Sequence, residues 1–223
     1  MHKENSPLIA VKFAGFDVVM TDVPSDILKK LNDRTDAIQQ TWDAPSMGTR
    51  TVGHIRKQYQ LEDTGDLDNF ILKLSNAYCQ FLSERGQLQN MCVDHFNLLC
   101  GSPWINFQAP TEYNPLHNHG GLLSWVIWLR IPFDIEKEQE YFPNINKQVL
   151  NGSFEFVYPS VAGVSTHVMD VNKTYEGRIL IFPSTLKHQV YPFYTTEEYR
   201  ISISGNVFID NRTTENMKII NQY

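Results

Sequence analysis

Polar and apolar residues alternate most cleanly near the end of the chain. Arg200, Ser202, Ser204 and Asn206 interleave with Ile201, Ile203, Gly205 and Val207. Side chains along a strand point to opposite faces with period two, so this segment has one polar and one apolar face. The run Trp104-Ile105-Asn106-Phe107-Gln108 has the same mixed character. From about residue 95 the chain breaks into short β-branched or aromatic runs separated by turn residues. Strands are predicted at 96–107, 122–131, 153–158, 166–171, 177–182, 188–192 and 198–209. Upstream the period changes. After a loosely alternating first strand at 8–20, Ile27, Leu28, Leu31 and Ile38 share one helical stripe, with Ser25 a candidate N-cap. Residues 41–65 follow neither period and read mostly as loop. Leu67, Phe70, Ile71, Leu74, Tyr78, Phe81 and Leu82 mark a second helix, capped by Asp66 and ended by Gly86.

This order of elements predicts a mainly β fold with flanking helices, a double-stranded β-helix or jelly roll. At 223 residues one domain is expected over 1–223, with a supporting strand and helices at 1–95 and a jelly-roll core at 96–210. The stretch 133–152 opens with Asp134, Glu136, Glu138 and Glu140. It reads either as a solvated loop or as a lid over the barrel mouth.

Composition narrows the function. A net charge of −6 and a pI near 5.6 make a nucleic-acid groove unexpected. No run is long and apolar enough for a membrane span, and Lys12 and Asp17 interrupt the apolar N-terminal stretch, which argues against export. Cys79, Cys92 and Cys100 show no CxxC spacing and fit buried thiols in a reducing cytoplasm. The sequons at Asn151, Asn172 and Asn211 read as chance matches.

Against this background two distant motifs stand out. His117 and His119 are two residues apart, after Asn114-Pro115 and before Gly120-Gly121, at a strand end opening into a turn. His188 begins a later strand, and a third imidazole there can close a facial set around one iron with positions left open. Twelve residues further on, Arg200 and Ser202 share a face and can hold a carboxylate by a guanidinium fork and a hydroxyl. His2, His54, His95 and His167 take the ordinary structural reading.

SPWINFQ, PLHNHGGLLSWVIWL, GRILIFPSTLKHQV and YRISISGN together resemble the 2-oxoglutarate/Fe(II)-dependent oxygenases, nearest to a branch of microbial and phage members. The resemblance runs from Trp104 to Asn206. It implies an Fe(II)- and 2-oxoglutarate-dependent dioxygenase that takes O2 and an unidentified substrate, hydroxylates it, and releases succinate and CO2. It implies His188 as the distal iron ligand, Arg200 and Ser202 as the co-substrate clamp, and Asn106 and Ser124 as further co-substrate contacts. Most of the family has His-x-Asp or His-x-Glu where this chain has His117-Asn118-His119. Either His117, His119 and His188 all bind iron, or His119 is the first ligand and the carboxylate position is vacant. Trp128 reads equally well as core. Two other classes compete: a three-histidine cupin-like metalloenzyme without keto-acid, and a non-catalytic jelly-roll module. The first leaves Arg200 and Ser202 without a role, and the second predicts no metal uptake. Substrate and oligomeric state stay open at this level.

Overall fold

The computed structural model describes residues 17–48, 52–84, 97–142 and 149–210. In chain order the elements are β1 (Val19–Asp22), α1 (Ser25–Thr41), β2 (Lys57–Gln60), α2 (Gly65–Glu84), β3 (Leu98–Cys100), β4 (Trp104–Gln108), β5 (Asn114–His117), β6 (Leu123–Arg130), α3 (Ile135–Glu140), β7 (Phe154–Ser160), β8 (Gly163–Met169), β9 (Arg178–Pro183), β10 (Lys187–Val190) and β11 (Arg200–Ile209). They form two antiparallel sheets. The larger runs β1-β9-β6-β11-β4-β2, with β3 also on β11; the smaller runs β5-β10-β7-β8. This is the predicted jelly roll.

Period two sorts the side chains of the larger sheet. Leu123, Trp125, Ile127 and Leu129 of β6 join Ile105, Phe107, Ile179, Ile181, Ile201 and Ile203 on the outer face. That face packs on Ile27, Leu31 and Ile38 of α1 and on Leu67, Ile71, Tyr78 and Leu82 of α2. These are the predicted helical stripes, and burying them holds the helices in place. Gly205 lies beneath the Trp125 ring, where a Cβ would come within 2.4 Å of it. On the inner face Val126, Trp128, Leu180 and Phe182 meet Phe154 and Phe156 of the smaller sheet in a second core.

The local expectations hold with corrections. The predicted strand at 96–107 is split by Gly101-Ser102-Pro103 into β3 and β4, and Phe96 lies outside the described residues. Most of the predicted strand at 8–20 also lies outside them, as does Gly86. Ser25 is not a cap: the helix starts on it, Pro24 occupies the cap position, and no side chain caps the end. Asp66 lies inside the first turn of α2 and pairs with Lys30, while Thr64 just outside bonds to Asp68. The acidic first turn still favours the helix dipole. Residues 41–65 contain β2 as well as loop, and 133–152 contains the short helix α3. Two asparagines of the sequons have local bonds: Asn172 accepts from Thr174, and Asn151 donates to the Glu138 carbonyl.

Candidate metal centre

Strands β5 and β10 lie side by side with His117 directly opposite His188. Pro115 is tolerated in β5 because that strand is the edge of its sheet. Just past β5 the backbone N–H of His119 donates to the Ser184 carbonyl at 2.9 Å, which turns its ring back toward the pair. Ring centroids are 4.3 Å apart for His117–His188, 4.9 Å for His117–His119 and 5.1 Å for His119–His188. One ligand nitrogen from each ring lies within 4.8 Å of the others. No carboxylate completes this group among the described residues.

The rings are oriented for metal. Nδ1 of His117 lies 2.7 Å from the Pro115 carbonyl, and Nδ1 of His188 lies 3.0 Å from the Leu186 carbonyl. A carbonyl can only accept, so each Nδ1 carries the proton and each Nε2 keeps its lone pair. Such backbone contacts fix ring angle and tautomer in metal-binding histidines. Burial holds all three rings below the ordinary imidazole pKa, His119 at about 4 and His188 at about 3, with the neighbouring imidazoles adding to the shift in both. At neutral pH the cluster presents three uncharged nitrogen donors. The donor set suits a divalent first-row metal, and the residues fit the group the resemblance implies.

Arg200 marks the deep end of the same cavity. Its side chain is buried beside the stacked rings of Phe133 and Phe193, whose centroids are 5.7 and 5.8 Å from the guanidinium carbon. Nε and Nη2 donate to Gln108 Oε1 at 2.9 and 2.6 Å, Nη2 also to the Tyr191 carbonyl at 3.0 Å, and Nη1 to the Gly152 carbonyl at 2.6 Å. Four of five N–H groups are therefore engaged by the protein. The expected open fork is corrected: Gln108 occupies it, and one Nη1 hydrogen remains. Burial lowers the guanidinium pKa to about 9, so it stays charged at neutral pH. No carboxylate among the described residues bonds to it; Glu138 acts on it only over a longer distance.

The cavity is about 430 Å³ and is lined by the three histidines, Arg200, Gln58, Trp104, Asn106, Ser124, Trp128, Phe154 and Phe182, among others. Two polar networks cover its wall. Asn106 accepts from Gln58 Nε2 at 2.7 Å and donates toward Ser202 and Ser204, each at 3.2 Å. Ser124 bonds to Asn206 at 2.7 Å and to Ser184 at 3.1 Å. Trp128 is both core and wall: it packs on Phe154 and Tyr175 and borders the cavity. Ser202 sits on the inner face opposite Asn106 and Trp128 and accepts from Asn106, but unlike Arg200, Asn106 and Ser124 it is not part of the cavity lining.

Other predicted assignments fall into place. His54 stacks on Tyr113 at 4.6 Å, and His167 lies on β8, away from the cluster. His2 and His95 lie outside the described residues. Sequence reasoning missed Gln108 and Glu138. Gln108 was visible only as one more polar residue on a mixed strand. Glu138 sat in an acidic run, yet it is fully buried and accepts from Tyr194 N, Thr195 N and Thr195 Oγ1 at 2.5–2.8 Å. Those bonds fix the loop after Tyr191, whose carbonyl and Phe193 ring hold Arg200.

Residues 102–206 match the family described as "Putative 2OG-Fe(II) oxygenase". Among curated proteins none is significantly similar in sequence. Solved structures share the fold. A Pseudomonas putida prolyl-4-hydroxylase superposes with a TM-score of 0.54 at 12% identity, covering 87% of this chain and 94% of that one. A Trichoplax adhaerens prolyl hydroxylase, solved with a hypoxia-inducible-factor peptide, gives 0.51 at 14% identity, covering 92% and 88%. The α-ketoglutarate-dependent epimerase SnoN of nogalamycin biosynthesis gives 0.51 at 11% identity, covering 87% and 77%. At these identities the likeness concerns the fold. The matched segment contains β4 to β11 up to Asn206, and with them the histidine cluster and Arg200. Over that segment, just under half of the chain, the sequence is similar to the 2OG-Fe(II) oxygenases, and the jelly roll around it has the fold of these solved structures.

Proposed function

We propose that His117, His119 and His188 together hold Fe(II), that Arg200 and Ser202 receive the far carboxylate of 2-oxoglutarate, and that the substrate is hydroxylated. The observation that carries this reading is the convergence of three neutral imidazoles in one cavity with a buried arginine that is charged at neutral pH. A guanidinium held in a partly dry site without a bonded carboxylate is costly unless a ligand supplies one. The one free Nη1 hydrogen and the Ser202 hydroxyl offer that carboxylate two donors, and Gln108 keeps the guanidinium plane from turning away. A cupin-like site would have no use for this arrangement.

When bound, Fe(II) with 2-oxoglutarate and O2 supplies the oxidation, leaving succinate and CO2. The chain's own work is positional. The carbonyls of Pro115 and Leu186 hold two imidazoles in one tautomer. The aromatic floor of Trp128, Phe154 and Phe182 excludes water. Asn106 and Ser124 are kept in place by Gln58, Asn206 and Ser184, ready for a polar co-substrate. Three neutral ligands leave the metal more positive than the usual two-histidine, one-carboxylate set, so iron is held less tightly here.

The whole of 1–223 acts as one unit in this reading, since α1, α2, β1 and β2 are built into the larger sheet and its outer core. No helix among the described residues is long and apolar enough to cross a membrane. The free thiols Cys79 and Cys100 suit the reducing cytoplasm.

Anaerobic titration tests the assignment. Fe(II) should bind to the apo protein, and added 2-oxoglutarate should produce a visible charge-transfer band. His188→Ala should abolish iron binding while far-UV circular dichroism stays unchanged. Undiminished iron affinity in that variant would remove His188 from the site.

A further inference from the structure

We propose that Phe208 is a specificity residue, and that the group this enzyme oxidises is uncharged with an apolar face that rests on the Phe208 ring. The inference rests on the oxygenase reading of the cavity and concerns its other end. The inner face of β11 is a ruler. Arg200 is at the buried end, Asn206 is level with Ser124, and Phe208 lies last. Eight residues of strand separate Arg200 from Phe208, about 26 Å at the usual rise of a strand. With the co-substrate on Arg200 and the metal at the histidines, a substrate arriving from solvent passes Phe208.

The ring of Phe208 is 37% exposed, yet it is not loose. It lies against two glycines. A Cβ at Gly101 would come within 2.7 Å of its Cε2, and a Cβ at Gly121 within 3.2 Å of its Cε1. Gly121 has φ +101°, a conformation other residues rarely adopt, so its place beside the ring is set by the backbone as well. The β3–β4 connection and the turn after His119 thus leave room for one aromatic ring at the rim. A partly exposed aromatic side chain fixed on both sides is a contact surface with little ordering entropy left to lose.

Charge completes the argument. Of the described residues lining the cavity, Arg200 alone carries a formal charge, at the far end. The remainder are amides, hydroxyls, neutral imidazoles and apolar groups, with Trp104 5.9 Å from the His119 ring and Met47 and Val52 on the border. Among the described lining residues no carboxylate would receive a cation and no lysine a phosphate. A cavity of about 430 Å³ is at the small end of ligand pockets, and the co-substrate takes part of it. The reacting group is therefore the size of one hydrocarbon chain or one ring.

The test uses the N-acetyl amides of leucine, phenylalanine, lysine and glutamate as probes on the full chain loaded with Mn(II) and 2-oxoglutarate. Binding is read by ligand-observed NMR rather than by turnover. The leucine and phenylalanine probes should bind and the charged pair should not. Phe208→Ala should weaken the neutral probes about 2- to 10-fold, the worth of one aromatic contact, and Phe208→Leu should keep part of the affinity. Co-substrate affinity, measured on the same samples, should be unchanged in both variants. Preference for a charged probe, no binding of either neutral probe, or equal neutral-probe affinity in Phe208→Ala would each overturn the proposal. Loss of 2-oxoglutarate binding in the parent protein would instead overturn the roles given to Arg200 and Ser202.

Discussion

The two faces of β11 are built from adjacent residues and obey opposite rules. Ile201, Ile203, Gly205 and Val207 pack against β6 side chains and the helices, with Ile203 fully buried. Arg200, Ser204 and Asn206 border the cavity, with Ser202 on the same face of the strand against Asn106, and each polar group is held by a named neighbour. The outer face gains by removing hydrocarbon from water, an energy that does not depend on orientation. The inner face gains little stability and places charges and lone pairs where a small ligand can use them. One strand thus contributes to both tasks, divided by nothing more than the alternation of side chains.

Single substitutions can separate the two. Ile203→Ala on the outer face should cost about 2–5 kcal/mol of unfolding free energy by urea denaturation, through lost burial and a residual cavity. Iron affinity of the folded protein should not change. A large loss of iron affinity there would show that the faces are coupled. Arg200→Ala, three residues away on the inner face, should leave iron binding intact and weaken 2-oxoglutarate about 10- to 150-fold, the worth of a charge-assisted bond of about 1.5–3 kcal/mol. Arg200→Lys should restore only part, since lysine cannot hold Gln108 and a ligand together. Equal co-substrate affinity in Arg200→Ala would dismiss the clamp.

The third expectation concerns protons. In the metal-free protein, burial holds His119 at about 4 and His188 at about 3, both below the 6.5 of an ordinary imidazole. The unfolded chain therefore binds protons first. Stability is complete above about pH 6.5 and falls as pH drops toward about 4 and then about 3, by up to about 1.4 kcal/mol per pH unit for each imidazole. Thermal melts between pH 6.5 and 5, where most carboxylates remain ionised, should show this slope, and Mn(II) should flatten it by competing with protons. A flat profile in the metal-free protein would place the rings in water.

What could be read in the sequence follows the same division. The outer face announced itself because its apolar residues repeat at helical or strand spacing, as Leu67 to Leu82 and Ile201 to Val207 do. The histidines and Arg200 were legible because imidazole and guanidinium at such spacing have few other uses. β2 was not legible, because in its four residues Tyr59 alone packs on the outer core, while Gln58 turns to Asn106 and Lys57 to Trp42 and Tyr199. β5 was hidden by its length of four residues and by Pro115. The burial of Glu138 depends on donors from Tyr194 and Thr195, more than fifty residues away, which no local pattern can announce. The occupation of the Arg200 fork by Gln108 is likewise a fact of strand pairing, set by the register of β4 on β11.

That unmatched guanidinium also bears on how long the protein lasts in a cell. A positive charge kept beside aromatic rings costs the ligand-free fold stability, and on the proposed role of Arg200 a dicarboxylate that binds only the folded form would restore it. At a hundred times its dissociation constant such a ligand adds about 2.7 kcal/mol. Proteolysis through the unfolded form slows with its population, about 100-fold for that gain. On that proposal the abundance of this protein should follow the supply of 2-oxoglutarate, rising when the keto-acid is plentiful and falling when it is scarce, with no change in synthesis.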